Sequence, residues 1–133
     1  MTTHTVPTRE RCQMIDVTDI VRQAVRAAKL NDGMVIVYVP HTTAAATINE
    51  NADPDVQHDL LAKLSTLVPH RENYYQHSEG NSDSHVKTSL VGSSVTVLVE
   101  NGRLVLGQWQ GIYFCEFDGP RQRQMMIKTV DFK

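Results

Sequence analysis

Residues 94–109 read SVTVLVENGRLVLGQW. Apolar residues flank Asn101-Gly102, a pair that tolerates positive φ and makes the tight turn of a two-residue hairpin. Glu100 and Arg103 stand on either side of that turn, placed to pair across it. Two more β-rich runs follow, IYFCEF at 112–117 and RQRQMMIKTVDF at 121–132, joined through Asp118-Gly119-Pro120. The C-terminal third is therefore read as hairpins, and the helices belong upstream.

Upstream, DVTDIVRQAVRAAKLNDG at 16–33 carries Val17, Ile20, Val21, Ala24, Val25 and Ala28 on one helical stripe. Asp16 is placed to cap its start, and Asn31 to Gly33 end it. Arg22, Arg26 and Lys29 lie off the stripe, as a solvated basic face does. MVIVYV at 34–39, bounded by Gly33 and Pro40, reads as a fully buried strand. Asp53-Pro54 is an N-cap followed by proline at the first helical position, opening a second helix on Val56, Leu60, Leu64, Leu67 and Val68. His58 and His70 read as surface residues. A short third helix is capped by Ser82 or Asp83 and ends at Gly92, and Arg9 to Ile15 fits a first strand. Two or three helices with about six strands, in mostly antiparallel or mixed sheet, make the fold class α+β.

The 133 residues suit one domain, 1–133, without repeat or linker. An apolar fraction of 41% and a net charge of −2 describe an ordinary globular protein without the basic face that nucleic-acid binding needs. No run is long enough to span a membrane, and the N-terminus has no signal-like apolar core. Cys12 and Cys115 sit far apart in apolar stretches and read as buried free thiols, which fits a cytoplasmic location.

Polar residues concentrate in three connections. HTTAAATINENAD at 41–53 begins where a buried strand ends. YYQHSEGNSDSHVK at 74–87 places His77, Glu79, Asn81, Asp83, His85 and Lys87 at every second position, one face of an extended chain. If a helix starts near Asp83, that face breaks and Asp83 with Lys87 becomes an i,i+4 pair. EFDGPRQR at 116–123 sets Arg121 and Arg123 two apart after a turn, a clamp for phosphate or carboxylate, or equally the charges of an edge strand. Phosphate-cradling glycine loops, nucleophile elbows and paired-cysteine zinc motifs are absent.

Taken together, HTTAAATINENADPDV, HSEGNSDSHVKTSLVG, GRLVLGQWQGI and EFDGPRQR closely resemble the YjbQ family, also called secondary thiamine-phosphate synthase enzymes. The likeness covers roughly residues 10–130, with Gln108 where the family usually has threonine. It implies an α+β domain assembling as a homotrimer, with a cleft near subunit contacts that takes a small phosphorylated metabolite or other anion. It also implies a weak thiamine phosphate synthase activity, joining hydroxymethylpyrimidine diphosphate to thiazole phosphate with release of pyrophosphate.

Matched onto this chain, the motifs make His41, His77 and His85 expected metal ligands. Glu50, Asp83 and Lys87 become catalytic groups, and Asn81, Trp109, Gln110 and Arg121 bind substrate. An imidazole-rich site suits zinc or another transition metal, whereas pyrophosphate departure is ordinarily assisted by Mg²⁺ in an oxygen shell. Two alternatives follow from that tension: a transition-metal-dependent hydrolase-like enzyme, and a binding module without turnover.

Overall fold

In the computed structural model, which describes residues 1–133, the chain runs β1 (Thr2–Pro7), β2 (Gln13–Asp16), α1 (Thr18–Ala27), β3 (Asp32–Tyr38), β4 (Ala44–Glu50), α2 (Pro54–Leu67), α3 (Ser82–Val91), β5 (Ser94–Glu100), β6 (Arg103–Leu104), β7 (Gln110–Glu116) and β8 (Gln122–Asp131). Five strands form one sheet in the order β1-β8-β3-β5-β6, and three form a second in the order β2-β7-β4. Every pairing is antiparallel. The α+β expectation holds. No helix is long and apolar enough to cross a membrane.

The hairpin that opened the reading forms as its sequence dictates. Asn101 and Gly102 take φ of 52° and 74°, and Glu100 faces Arg103 across the turn. Asp53 caps α2 by accepting the Asp55 backbone N–H at 2.9 Å. Asp16 secures the start of α1 from one residue further out, accepting both the Thr18 N–H and the Thr18 hydroxyl. Gly92, at φ 107°, ends α3.

Alternation explains the core. Val35 and Val37 of β3, Val97 and Val99 of β5, and Met125 and Ile127 of β8 point to one side of the large sheet. They meet the α1 stripe (Val17, Val21, Val25) and the inner face of the small sheet (Ala44, Ala46, Ile112, Phe114). The opposite face of the small sheet carries Ala45, Tyr113, Cys115 and Phe117, covered by Leu61 and Leu64 of α2 and Val91 of α3. Burial pushes the Cys115 thiol up to about 12, while Cys12 is half-buried.

Three readings change. MVIVYV is not buried on both faces: Met34 and Ile36 are half-buried and Tyr38 is 45% exposed, because the outer face of the large sheet has no covering layer. The strand enclosed on both faces is β7, whose residues from Gly111 to Glu116 are all buried between the large sheet and the α2–α3 layer. Residues 2–7 form a strand that hydropathy does not reveal, since TTHTVP buries only Val6 and is held by pairing with β8. The strand expected over residues 9–15 is accordingly confined to β2.

Helix α2 has no fully buried residue, and an apolar cavity of about 140 Å³ lies beneath it, lined by Leu60, Leu61, Leu64 and Phe117 among others. Phe114→Ala, in the centre of the double-layered packing, is expected to cost about 3–5 kcal/mol. Leu67→Ala on α2, where Leu67 is 62% exposed, is expected to stay within about 0.5 kcal/mol. Urea denaturation of the two variants checks both.

Candidate functional site

A charged residue inside an otherwise apolar strand needs a partner, because an isolated carboxylate in low dielectric is costly. Glu116, in the middle of IYFCEF, is fully buried and has several partners. Arg123, also buried, donates from Nε at 2.9 and 3.1 Å and again from Nη2 to the two carboxylate oxygens. The Thr8 hydroxyl donates at 2.7 Å and the Asp118 N–H at 3.0 Å. Burial alone would raise the Glu116 carboxyl, but Arg123, Thr8 and the Asp118 N–H together hold it below the usual range. Arg123 Nη2 also donates to Thr43 Oγ1 at 2.8 Å, so the pair ties β1, β7, β8 and the start of β4 at one end of both sheets.

Gly119 lies against this pair. A Cβ there would stand 2.9 Å from both Glu116 Cγ and Thr8 Oγ1 and would collide with the Glu10 carbonyl. The turn from β7 to β8 can pass this close only as glycine.

Helix α3 docks on the same end. Asn81 Nδ2 donates to Asp118 Oδ2 at 2.8 Å, and the Ser84 hydroxyl donates to the Phe117 carbonyl at 2.6 Å. Asp83 is fully buried and takes a two-pronged interaction from Arg11 at 2.9 and 3.0 Å plus Lys87 Nζ at 3.3 Å. Burial pushes Asp83 up, but the Arg11 bonds and then Lys87 outweigh it and hold the carboxyl low. Lys87 is itself buried, 6.0 Å from the Phe117 ring centroid.

Between these anchors lies a hollow of about 420 Å³ with no hydrophobic side chain in its wall. His41 and Thr43 come from the β3–β4 connection, His77 and Glu79 from the loop before α3, Asn81 from the cap of α3 and His85 from its first turns, Arg121 from the turn before β8 and Arg123 from its start. The His77 and His85 rings meet edge to face at 5.3 Å. His41 Nε2 accepts the Gln124 backbone N–H at 2.9 Å. Burial lowers the His41 pKa, and Arg123 lowers it further.

The carboxylates of Glu116, Asp118 and Asp83 are consumed by structural partners. Arg121 spends Nε and Nη2 on Asp118, and Arg123 spends Nε and Nη2 on Glu116 and Thr43, which leaves Nη1 of each without an intramolecular acceptor. Arg123 is only 3% exposed, yet its Nη1 is not sealed from the hollow. Beside these two donors the wall keeps two acceptors, the exposed Glu79 carboxylate 3.9 Å from His77 Nε2 and Asn81 Oδ1, which is buried without a partner. The two guanidinium edges suit acceptor oxygens of a ligand, as phosphate or carboxylate offers.

The expected residues thus fall into three groups. His41, His77, His85, Asn81 and Arg121 meet in the hollow. Asp83 and Lys87, read as catalytic groups, are folded away from it into the Arg11 network. Glu50, Trp109 and Gln110 gather elsewhere: Glu50 pairs with Gln110 at the opposite end of the β4–β7 ladder from Ala44 and Glu116. At ~3.4 Å per residue, that ladder separates the groups by roughly 20 Å. As arranged, no three His, Cys, Asp or Glu side chains gather to hold one metal ion.

Glu116 escaped the sequence reading although a lone acid in an apolar strand was a visible signal. Arg123 was seen only as half of a clamp. Nothing in RERC singled out Arg11 as the partner of a residue 72 positions away.

Comparison with known proteins agrees with this architecture. A family model described as UPF0047 protein YjbQ-like matches residues 2–131. The chain is 50% identical to the UPF0047 protein YugU of Bacillus subtilis over 125 residues, covering 94% of this chain and 95% of that one. It is 48% identical to a UPF0047 protein of Methanocaldococcus jannaschii, over 96% and 92% of the two chains. A crystal structure of a YjbQ/UPF0047 protein from Clostridium acetobutylicum superposes with a TM-score of 0.96 at 49% identity, covering 98% of this chain and 100% of that one.

Removing one member of a buried ion pair strands the other, so Glu116→Gln is expected to cost roughly 3–5 kcal/mol near neutral pH. The sign with pH follows from the lowered carboxyl: its contribution is complete above the ordinary value of 4.5 and is lost as pH falls through the folded value below that. The gap between wild type and Glu116→Gln therefore narrows on acidification. Urea melts at neutral pH and near pH 3 measure it.

Proposed function

The chain belongs to the YjbQ-like UPF0047 family, and from that premise we propose that its polar hollow receives a small phosphorylated metabolite or similar anion, with weak thiamine phosphate synthesis as an accompanying activity. One observation carries the proposal: the unspent guanidinium N–H groups of Arg121 and Arg123 beside three imidazoles, in a wall whose one carboxylate, Glu79, lies on the side of His77. In the synthase reaction the bond from the pyrimidine methylene carbon to the diphosphate oxygen breaks, and pyrophosphate leaves with the electron pair. The thiazole nitrogen then supplies the pair for the new C–N bond. Arg121 and Arg123 would hold the departing anion, and Mg²⁺ would share its charge.

Incubation of the two phosphorylated precursors with Mg²⁺ and abundant protein is expected to give thiamine phosphate slowly, and Arg121→Ala to reduce the yield. Absence of product at any protein concentration sinks the synthase part. Stabilisation by inorganic phosphate or pyrophosphate without conversion supports the binding-module reading. The shift would reach about 2.7 kcal/mol at a hundredfold excess over Kd.

A second reading starts from the three imidazoles that line the hollow: a transition-metal centre on His41, His77 and His85. It requires the His77 and His85 rings to turn toward a common point and His41 to release the Gln124 N–H. Elemental analysis of protein purified without added metal tests it.

The homotrimer is proposed on two grounds. The uncovered face of the large sheet exposes Met34, Ile36, Tyr38, Leu98, Met126 and Val130 to varying degrees. A neighbouring subunit would also offer a way to bring Glu50, Trp109 and Gln110 to a hollow they do not reach within one chain. A particle of three times the 15.0 kDa chain mass is expected by light scattering, and a monomer at micromolar concentration contradicts it.

A further inference from the structure

The family resemblance casts His41 as a metal ligand, but its hydrogen bonding gives it another use. The Gln124 backbone N–H donates to His41 Nε2 at 2.9 Å, from a strand position fixed by pairing with Thr5 of β1. Were Nε2 protonated, two N–H groups would oppose each other at that distance. Nε2 therefore carries a lone pair, the ring is neutral, and its one proton sits on Nδ1. The lone pair that a metal would take is engaged already. The other nitrogen, Nδ1–H, has no acceptor within the chain and is not sealed from solvent, while its ring lines the hollow. It joins Nη1 of Arg121 and Nη1 of Arg123 as donors left over from the structural network.

We propose that His41 acts as a neutral hydrogen-bond donor, presenting Nδ1–H to a phosphoryl or carboxylate oxygen of the ligand, and serves as neither metal ligand nor general base. The tautomer follows from the Gln124 contact alone; the ligand half rests on the anion reading given above. A neutral imidazole held this way positions an oxygen without adding charge to a site that already holds two guanidinium groups. The proposal narrows the ligand to one whose oxygens accept from donors spread over the wall of one hollow, as a phosphoryl group's do.

Long-range ¹⁵N–¹H correlation spectra of the ¹⁵N-histidine-labelled full chain near neutral pH read the tautomer directly. His41 is expected to show a protonated Nδ1 and an unprotonated Nε2. A protonated Nε2, or an imidazolium, overturns the proposal, as does a metal-coordination shift of either His41 nitrogen when Zn²⁺ is added to chelator-treated protein.

Inorganic phosphate is the ligand probe, titrated into the wild type, His41→Asn and His41→Gln by calorimetry. The asparagine amide nitrogen can stand where Nδ1 stands and restore the donor, whereas the glutamine amide reaches only the Nε2 position. His41→Gln is expected to weaken phosphate by about tenfold or more, and His41→Asn by no more than roughly threefold. Equal affinity in all three proteins overturns the donor role. No phosphate binding in wild type overturns the anion reading and the donor role with it, while the spectrum still decides the tautomer. If a variant does not fold, the wild-type spectrum with and without phosphate decides, since a bound oxygen must move the Nδ1 resonance.

Discussion

The buried Glu116–Arg123 pair is the constraint on which the functional end of the molecule depends. It is held by Thr8 from the first strand, by Thr43 from the connection after β3, and by a turn that only glycine can make so closely. Replacing both charges by apolar residues would remove an expensive desolvation, so the pair is not explained by stability alone. Its effect is geometric. It fixes Arg123 with one free edge toward the hollow and brings the starts of β4 and β8 together, which places His41 beside Gln124. The Arg11–Asp83–Lys87 network does the same for α3, setting Asn81 and His85 against the opposite wall.

How much of this was legible depended on the range of the interaction. The hairpin at Asn101-Gly102, the Asp53-Pro54 helix start and the α1 stripe are local, since turn chemistry and periodicity act within a few residues. Each formed where its sequence placed it, except that α1 stops at Ala27, with Lys29 at φ 54°, before the expected end at Asn31 to Gly33. β1 was not legible because TTHTVP owes its strand to β8 rather than to its own hydropathy. The depth of burial of β3 was not legible either. A run of Met, Val and Ile looks the same whether one face or both are covered, and only the layering of the two sheets distinguishes them.

The same distinction sorts the site. His41, His77, His85, Asn81 and Arg121 share a hollow, so polar density in connections did mark residues that the fold brings together. Asp83 and Lys87 alternate with those residues in the sequence, but the helix beginning at Ser82 turns both inward. Period 2 becomes period 3.6 in the middle of the motif, and the face predicted for an extended chain divides. Partners such as Arg11 and Thr8 left no trace because a buried charge finds its counter-charge by tertiary contact, across sequence separations that no local pattern encodes.

Trp109 is the sole tryptophan of the chain, 55% exposed and at the end of the β4–β7 ladder remote from the hollow. Its indole emission is therefore nearly blind to small molecules entering among the histidines of its own subunit. The natural fluorophore is thus placed away from the hollow of its own chain.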